Sequence, residues 1–481
     1  MDIRPVGYVI GLLVAVLGLT MLIPFLLDFA DGNGHWPVFL ESGILTISVG
    51  GMVALACSNG VKEGLTLQQT FLLTTGVWVA LPVFGALPFF FGATEATYTD
   101  AFFEAMSGLT TTGSTVFSGL DTLPRGLLLW RGILQWLGGI GIIVVAMVFL
   151  PELRVGGMQV FRSEAFDTMG KILPRATQIA GQISVIYVGL TMLCAVLYAI
   201  FGMDPFDAIV HALTTLSTGG FSTYDASFGT FSGPLEYIAS VFMILAALPF
   251  VRYVQMVNGH SSAIFSDTQA RAFLATILFL VLVTTFVLTS IFPHHWEQAF
   301  REGLFNITSI MSGTGYASVD YMNWGPFLIT IFFFIGLIGG TAGSTACSVK
   351  IFRYQILFSA VVAQVKRIHS PHGVFSTRYA GRPVDDETLN SVMSFFAFFI
   401  VLMGLIAVAL NLTGLDFITS LSGAATAIAN IGPGLGDTIG PAGNFSSLND
   451  TAKWILIAAM LTGRLEIMAV LVLFTPRFWR S

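Results

Sequence analysis

Apolar residues fall into helix-length blocks separated by short polar stretches, approximately over residues 6–27, 38–57, 69–92, 130–150, 180–202, 235–251, 272–292, 325–365, 391–411 and 454–475. A run of about twenty apolar residues is the length that crosses a bilayer as a helix, so the pattern predicts an all-α polytopic membrane protein with ten crossings, the block at 325–365 counted once. That block is too long for one simple span. Gly336, Gly339, Gly340, Thr341, Ala342, Gly343, Ser344 and Thr345 interrupt it with small residues of poor helix propensity, which predicts a broken helix. The first block follows Arg4 and lacks a small-x-small cleavage site, so it reads as a retained span rather than a signal peptide.

Four connections between spans repeat one pattern: a short amphipathic stretch, then a Gly/Thr/Ser cluster, then the next span. The clusters are centred on Thr111-Thr112-Gly113-Ser114, Thr218-Gly219-Gly220-Phe221, Gly313-Thr314-Gly315-Tyr316 and Gly432-Pro433-Gly434-Leu435. Aligned on the last glycine of each, the copies are separated by 107, 95 and 119 residues. This divides the chain into a two-span extension (1–62) and four repeats of outer span, pore helix and inner span (63–155, 176–255, 268–366 and 388–481), the third with a broken inner helix.

Irregular backbone at membrane depth is tolerated only where it is buried in protein or lines a watery path. Glycine lets successive carbonyls aim at a narrow axis without a side chain in the way. The short helices point C-terminal ends, each carrying roughly half a negative charge, at the same axis. Everything in the unit therefore suits a desolvated monovalent cation held by backbone carbonyls.

Composition narrows the class. Of 481 residues, 55% are hydrophobic and 10% charged, against roughly 25% charged in soluble domains, which excludes a soluble single-core protein. Three cysteines cannot make a disulfide framework, and the scattered basic residues carry no nucleic-acid signal. With the N-terminus inside, Lys and Arg collect on the cytoplasmic segments, among them Arg154, Arg162, Lys171, Arg175, Lys366, Arg367, Arg378 and Arg382, while the outer segments hold Arg125, Arg131, Arg301 and Lys453. The positive-inside rule then puts both termini in the cytoplasm. Acidic residues such as Asp100, Glu104, Asp207, Glu236 and Asp416 fall outside, either raising the local cation concentration at a mouth or simply as solvated loop charges.

Four non-identical two-span units with a pore helix and a glycine-centred turn resemble the Trk/Ktr/HKT superfamily of potassium transporters. The two extra N-terminal spans, the broken eighth block and Arg464 in the last span make the chain most similar to the bacterial TrkH branch. The resemblance implies a pseudo-fourfold, potassium-channel-like pore in the bacterial cytoplasmic (inner) membrane. It also implies a homodimer controlled by a cytosolic TrkA-type nucleotide-binding ring, with no covalent cofactor and K+ as the permeant ion at the filter carbonyls. In that superfamily glycine at all four filter positions goes with potassium selectivity and serine in the first copy with sodium permeation; here the positions read Gly113, Gly220, Gly315 and Gly434. Ser114 and Pro433 depart from a potassium-channel strip.

Read with the family, the run Gly339 to Thr345 and its neighbours to Ser348 form an intramembrane gate; the alternative is a small-residue packing seam, which the length of the run and its loss of helix formers disfavour. Arg464, near the middle of the last span, costs roughly 2.5 to 3.5 kcal/mol to insert. It either faces the pore as a barrier below the filter or pairs with Glu466. Lys350 reads as a boundary anchor, and His211 as a packed hydrogen-bonding residue. His294 and His295 lack a third metal ligand nearby. The loop from Gln364 to Asn390 and the segment from Pro151 to Arg175 are candidate partner contacts or plain solvated loops. With no nucleophile–base constellation, the chain reads as no enzyme. The rival class is a symporter coupling potassium to protons or sodium, which would want ionisable midplane residues and often inverted repeats.

Overall fold

The computed structural model describes residues 2–60, 65–148, 176–291 and 295–480. The proposed partner segment 151–175 lies outside these residues, as does His294. Seven helices are long and apolar enough to cross a membrane, from Arg4–Ala30 to Asp386–Leu412. Two more spans are bent pairs: Pro234–Ala247 with Phe250–Val257 at 90°, and Asp450–Arg464 with Ile467–Phe474 at 111°. The chain is thus an all-α multi-pass membrane protein.

The expected break in the third inner helix is present: Gly325–Ile335 ends, and helix resumes only at Ile351–His369. The continuous spans expected at 235–251 and 454–475 are not. Pro249, which has no N–H to donate, follows the first bend at Leu248. The second bend turns on Glu466, whose φ is +63°. Three of the four inner helices therefore break at corresponding places, and Arg125–Val148 is the unbroken one among the described residues.

The two N-terminal helices pack as small residues allow. A Cβ on Gly11 would stand 2.7 Å from the Gly50 carbonyl, and one on Gly50 would fall equally close to that of Gly11, the close backbone approach typical of membrane helix pairs. The extension is tied to the first repeat where Asp28 accepts from the Gly126 amide at 2.8 Å and lies 2.9 Å from His35 Nδ1.

Charges assigned to outer loops prove to be internal struts. Arg131 donates to Glu104 at 2.8 Å with both side chains buried, and its guanidinium lies 4.1 Å from the centre of the Phe221 ring. Lys453 reaches Asp100 at 2.6 Å, and Arg301 pairs with Glu236. For these residues neither the mouth-potential reading nor the solvated-loop reading describes the role: Glu104 and Arg131 brace the first repeat, and Lys453–Asp100 and Arg301–Glu236 join different repeats. Glu104→Ala leaves Arg131 as a buried unpaired charge and is expected to cost about 3 to 5 kcal/mol. Thermal unfolding in detergent checks it, and the paired change Glu104→Leu with Arg131→Met should cost less than either single loss.

Candidate functional site: a ring of four glycine turns

Each pore helix ends in a buried turn built the same way. The helices are Tyr98–Leu109, Pro205–Leu216, Trp296–Ser312 and Phe417–Ala429. Asp204 and Asp416 cap two of them through side-chain oxygens. The Thr419 hydroxyl and the first-turn amides hold the Asp416 carboxyl below the usual carboxylate range.

Just past each helix one residue swings into the left-handed region: Thr111 (φ +51°), Thr218 (+52°), Gly313 (+81°) and Asn430 (+52°). For β-branched threonine this conformation costs about 1 to 3 kcal/mol, so the surroundings must hold it. They do so by turning amides back onto the helix end. Thr112 donates to Ser107 O at 2.8 Å, Gly219 to Thr214 O at 2.9 Å, Gly315 to Ser309 O at 3.1 Å and Ile431 to Thr426 O at 2.9 Å. A Ser or Thr stands at that acceptor position in every copy.

Two residues further on come Gly113, Gly220, Gly315 and Gly432, and these four meet. A Cβ on Gly113 would collide with the Gly219 carbonyl, and one on Gly220 with the Thr314 carbonyl. A Cβ on Gly315 would stand 2.7 Å from Gly432 N, and one on Gly432 3.2 Å from Gly113 O. First touches second, second third, third fourth and fourth first, so the turns close into a ring. The fourth ring residue is Gly432, 117 residues after Gly315, in place of the Gly434 that alignment on the last glycine selects. Gly434 lies against Ile439 and Ser422, outside the ring. The extra Pro433-Gly434 pair misled the alignment because only the turn geometry, not the glycine count, marks the register.

A side chain on each pore helix braces the limb leaving its turn. Glu104 accepts from the Thr115 hydroxyl at 2.9 Å and the Val116 amide at 3.0 Å. His211, buried as a packed residue, lies 3.0 Å from Ser222 Oγ, and its Nδ1 donates to Asp207 O at 2.8 Å. Asn306 and Ser318 exchange two hydrogen bonds, and Ser422 accepts from the Leu435 amide at 3.0 Å. In the outer loop Asp207 accepts from the Tyr224 hydroxyl at 2.8 Å, which pushes that phenol up to about 12. Above the ring lies a cavity of about 230 Å³ lined by Gly113, Gly220, Gly315 and Gly432 among others.

Below the ring sits the irregular stretch 336–350. Thr341 donates through both amide and hydroxyl to Ala247 O, at 3.1 and 2.8 Å, and Thr345 does the same to Ala246 O, at 3.3 and 2.9 Å. These carbonyls end the helix Pro234–Ala247 and have no partner within it. Gly343 O accepts from Phe250 N at 3.0 Å, so one loop satisfies both sides of the neighbouring break. Ser348 caps the fourth pore helix at Ala429 O, and Gln269 Oε1 accepts from Ala342 N at 3.0 Å. Cys347 lies beneath the turns, its Sγ 3.5 Å from Thr111 Oγ1 and its Cβ 2.9 Å from where a Cβ on Gly313 would stand.

Arg464 is buried against the same loop, donating to Cys347 Sγ at 2.7 Å and Thr345 O at 3.4 Å, while its Nε and Nη2 have no hydrogen-bond partner among the described residues. Glu466 does not pair with it. That carboxylate accepts from Arg353 at 2.6 Å, as positions two apart on a chain do not share a helix face. Lys350 is not a boundary anchor: it is half-buried, bonds Ala346 O, and lines a cavity of about 40 Å³ with Arg464, Glu466, Cys347 and Asn430. Sequence reading passed over Cys347, Asn430 and Gln135 and placed Glu104 among outer loop charges. Gln135 and Glu104 carried a usable signal, since polar residues at membrane depth are functional candidates by default.

Comparison with known proteins accords with this geometry. The profile of the TrkH family, described as cation transport protein, matches residues 35–481. The chain is 42% identical over 482 residues to the Trk system potassium uptake protein TrkI of Halomonas elongata, covering 99% of this chain and 97% of that one. It is 37% identical to the Trk system potassium uptake protein TrkH of Escherichia coli, over the whole of both chains. The crystal structure of the potassium transporter TrkH from Vibrio parahaemolyticus superposes with a TM-score of 0.91 at 34% identity, covering all of both chains. On the strength of a family match across nearly the whole sequence and a shared fold, the chain belongs to the TrkH family of cation transport proteins.

Proposed function

We propose that the protein is a potassium uptake pore of the bacterial inner membrane, with both termini in the cytoplasm. The closed ring of four glycine turns above a buried, non-helical loop is the observation that carries this reading. The filter comprises Thr111, Thr112 and Gly113, Thr218, Gly219 and Gly220, Gly313, Thr314 and Gly315, and Gly432 with Pro433 and Gly434 beside it. Their backbone carbonyls replace the hydration shell of K+. Relatives named as potassium uptake proteins support the choice of ion.

In this reading Gly339, Gly340, Thr341, Ala342, Gly343, Ser344 and Thr345 form the gate. Thr341, Ser344 and Thr345 keep the loop bonded while it obstructs the path. Arg464, which lines the lower cavity, adds a fixed positive charge there, and a cation crossing is opposed by Coulomb repulsion in a poorly solvated place. The chain works as a homodimer with a cytosolic TrkA-type nucleotide-binding ring. The hairpin Arg378–Tyr379 with Arg382–Pro383, between Gln364 and Asn390 and exposed apart from Tyr379, is the proposed contact for that ring.

Purified protein in potassium-loaded liposomes tests the function. Potassium should run down its own gradient without a proton or sodium gradient, and choline should be excluded; flux that requires a second ion gradient would establish the coupled symporter instead. Arg464→Ala should raise potassium flux about tenfold, the equivalent of a barrier lower by about 1.4 kcal/mol. Gly113→Ser should lower the potassium-to-sodium ratio. In Gly220→Ala the new Cβ falls on the Thr314 carbonyl at a φ of +76°, so flux should vanish while the protein still elutes as an intact assembly in gel filtration.

A further inference from the structure

Thr112, Gly219, Thr314 and Ile431 occupy one level of the ring, each directly after the left-handed residue of its turn. Their four carbonyls are not equivalent. Gly219 O accepts a hydrogen bond from Gln135 Nε2 at 2.7 Å, and Ile431 O accepts one from the Thr426 hydroxyl at 2.5 Å. No described residue donates to the carbonyls of Thr112 or Thr314. Since the turns touch in the order first, second, third, fourth, first, the second and fourth stand opposite each other. The two bonded carbonyls therefore belong to opposite turns, as do the two unbonded ones.

Gln135 is fully buried on the inner helix Arg125–Val148, and the chemistry fixes its orientation. The Phe221 amide can only donate, and it meets Oε1 at 3.0 Å, which leaves the NH2 group on the Gly219 carbonyl. The clamp fits tightly, because a Cβ on Gly219 would strike the amide itself. Thr426 Oγ1 also lies 2.9 Å from Pro433 O, and its single proton goes to the nearer Ile431 O or is shared between the two carbonyls.

We propose that Gln135 and Thr426 are specificity-determining residues, whose hydrogen bonds to opposite carbonyls give this level a two-fold, weakened field that favours potassium over sodium. The inference rests on the potassium-pore reading above. A donor hydrogen held against a carbonyl oxygen partly cancels the negative potential a cation meets there. Coulomb attraction rises as the separation falls, so the smaller ion gains more from any strengthening of the oxygens. Removing a donor therefore rewards sodium more than potassium. Neither side chain touches the ion; both act through the carbonyl they hold.

The test is the reversal potential of the full-length protein in liposomes with potassium inside and sodium outside. Gln135→Met keeps the volume and removes both hydrogen bonds, Thr426→Val keeps the shape without a donor, and Thr426→Ser keeps the donor. Gln135→Met and Thr426→Val should each lower the potassium-to-sodium permeability ratio at least threefold, the double variant should lower it further, and Thr426→Ser should retain it. An unchanged ratio in Thr426→Val with altered flux, or an equal shift in Thr426→Ser and Thr426→Val, would overturn the proposal by reducing the residues to braces. If Gln135→Met does not fold, the valine and serine pair decides alone. A wild-type protein that does not prefer potassium to choline overturns the pore reading and this inference together, whereas a potassium-conducting wild type with unmoved variants overturns the inference alone.

Discussion

Backbone that leaves the helix inside a bilayer must find a partner for every N–H and C=O it frees, and this structure is arranged around that demand. Four turns and three broken helices place irregular backbone at membrane depth. Many of the freed groups are met within the protein: the amides of the turns go back to pore-helix ends, and the loop 336–350 caps the helix that ends at Ala247 and the pore helix that ends at Ala429. The breaks are mutually supporting. The bend after Ala247 gives its free carbonyls to Thr341 and Thr345, and those threonines in turn satisfy their amides and hydroxyls there.

Charge obeys the same rule. Glu104 with Arg131, Asp100 with Lys453 and Arg353 with Glu466 are paired where they are buried, as ions in a low-dielectric setting must be. Arg464 departs from it. It gives its hydrogen bonds to a sulfur and a carbonyl and keeps two nitrogen sites uncommitted beside the lower cavity. A position that breaks a rule its neighbours keep is where function is to be sought.

The fold was largely legible in the sequence because two signals are strong: blocks of spanning length and the recurrence of one Gly/Thr/Ser cluster. The break in the third inner helix announced itself through a run of small residues. The other two did not, since Pro249 and the Gly463-Arg464-Leu465-Glu466 stretch lie inside blocks that remain apolar on average. The ring register was legible to within two residues, failing at the fourth turn where glycines at 432 and 434 both qualify and only contact with Gly113 and Gly315 chooses. The partners of buried charges were not legible, because Arg131 meets Glu104 across 27 residues and Arg353 meets Glu466 across 113, separations that no local pattern encodes.

The double capping of Ala246 and Ala247 by Thr341 and Thr345 has a consequence for motion. Any displacement of the loop strips those carbonyls of their donors in one step, and at that depth only water can take over the bonds. On the proposed gate reading, moving the loop and hydrating those two carbonyls are therefore a single event.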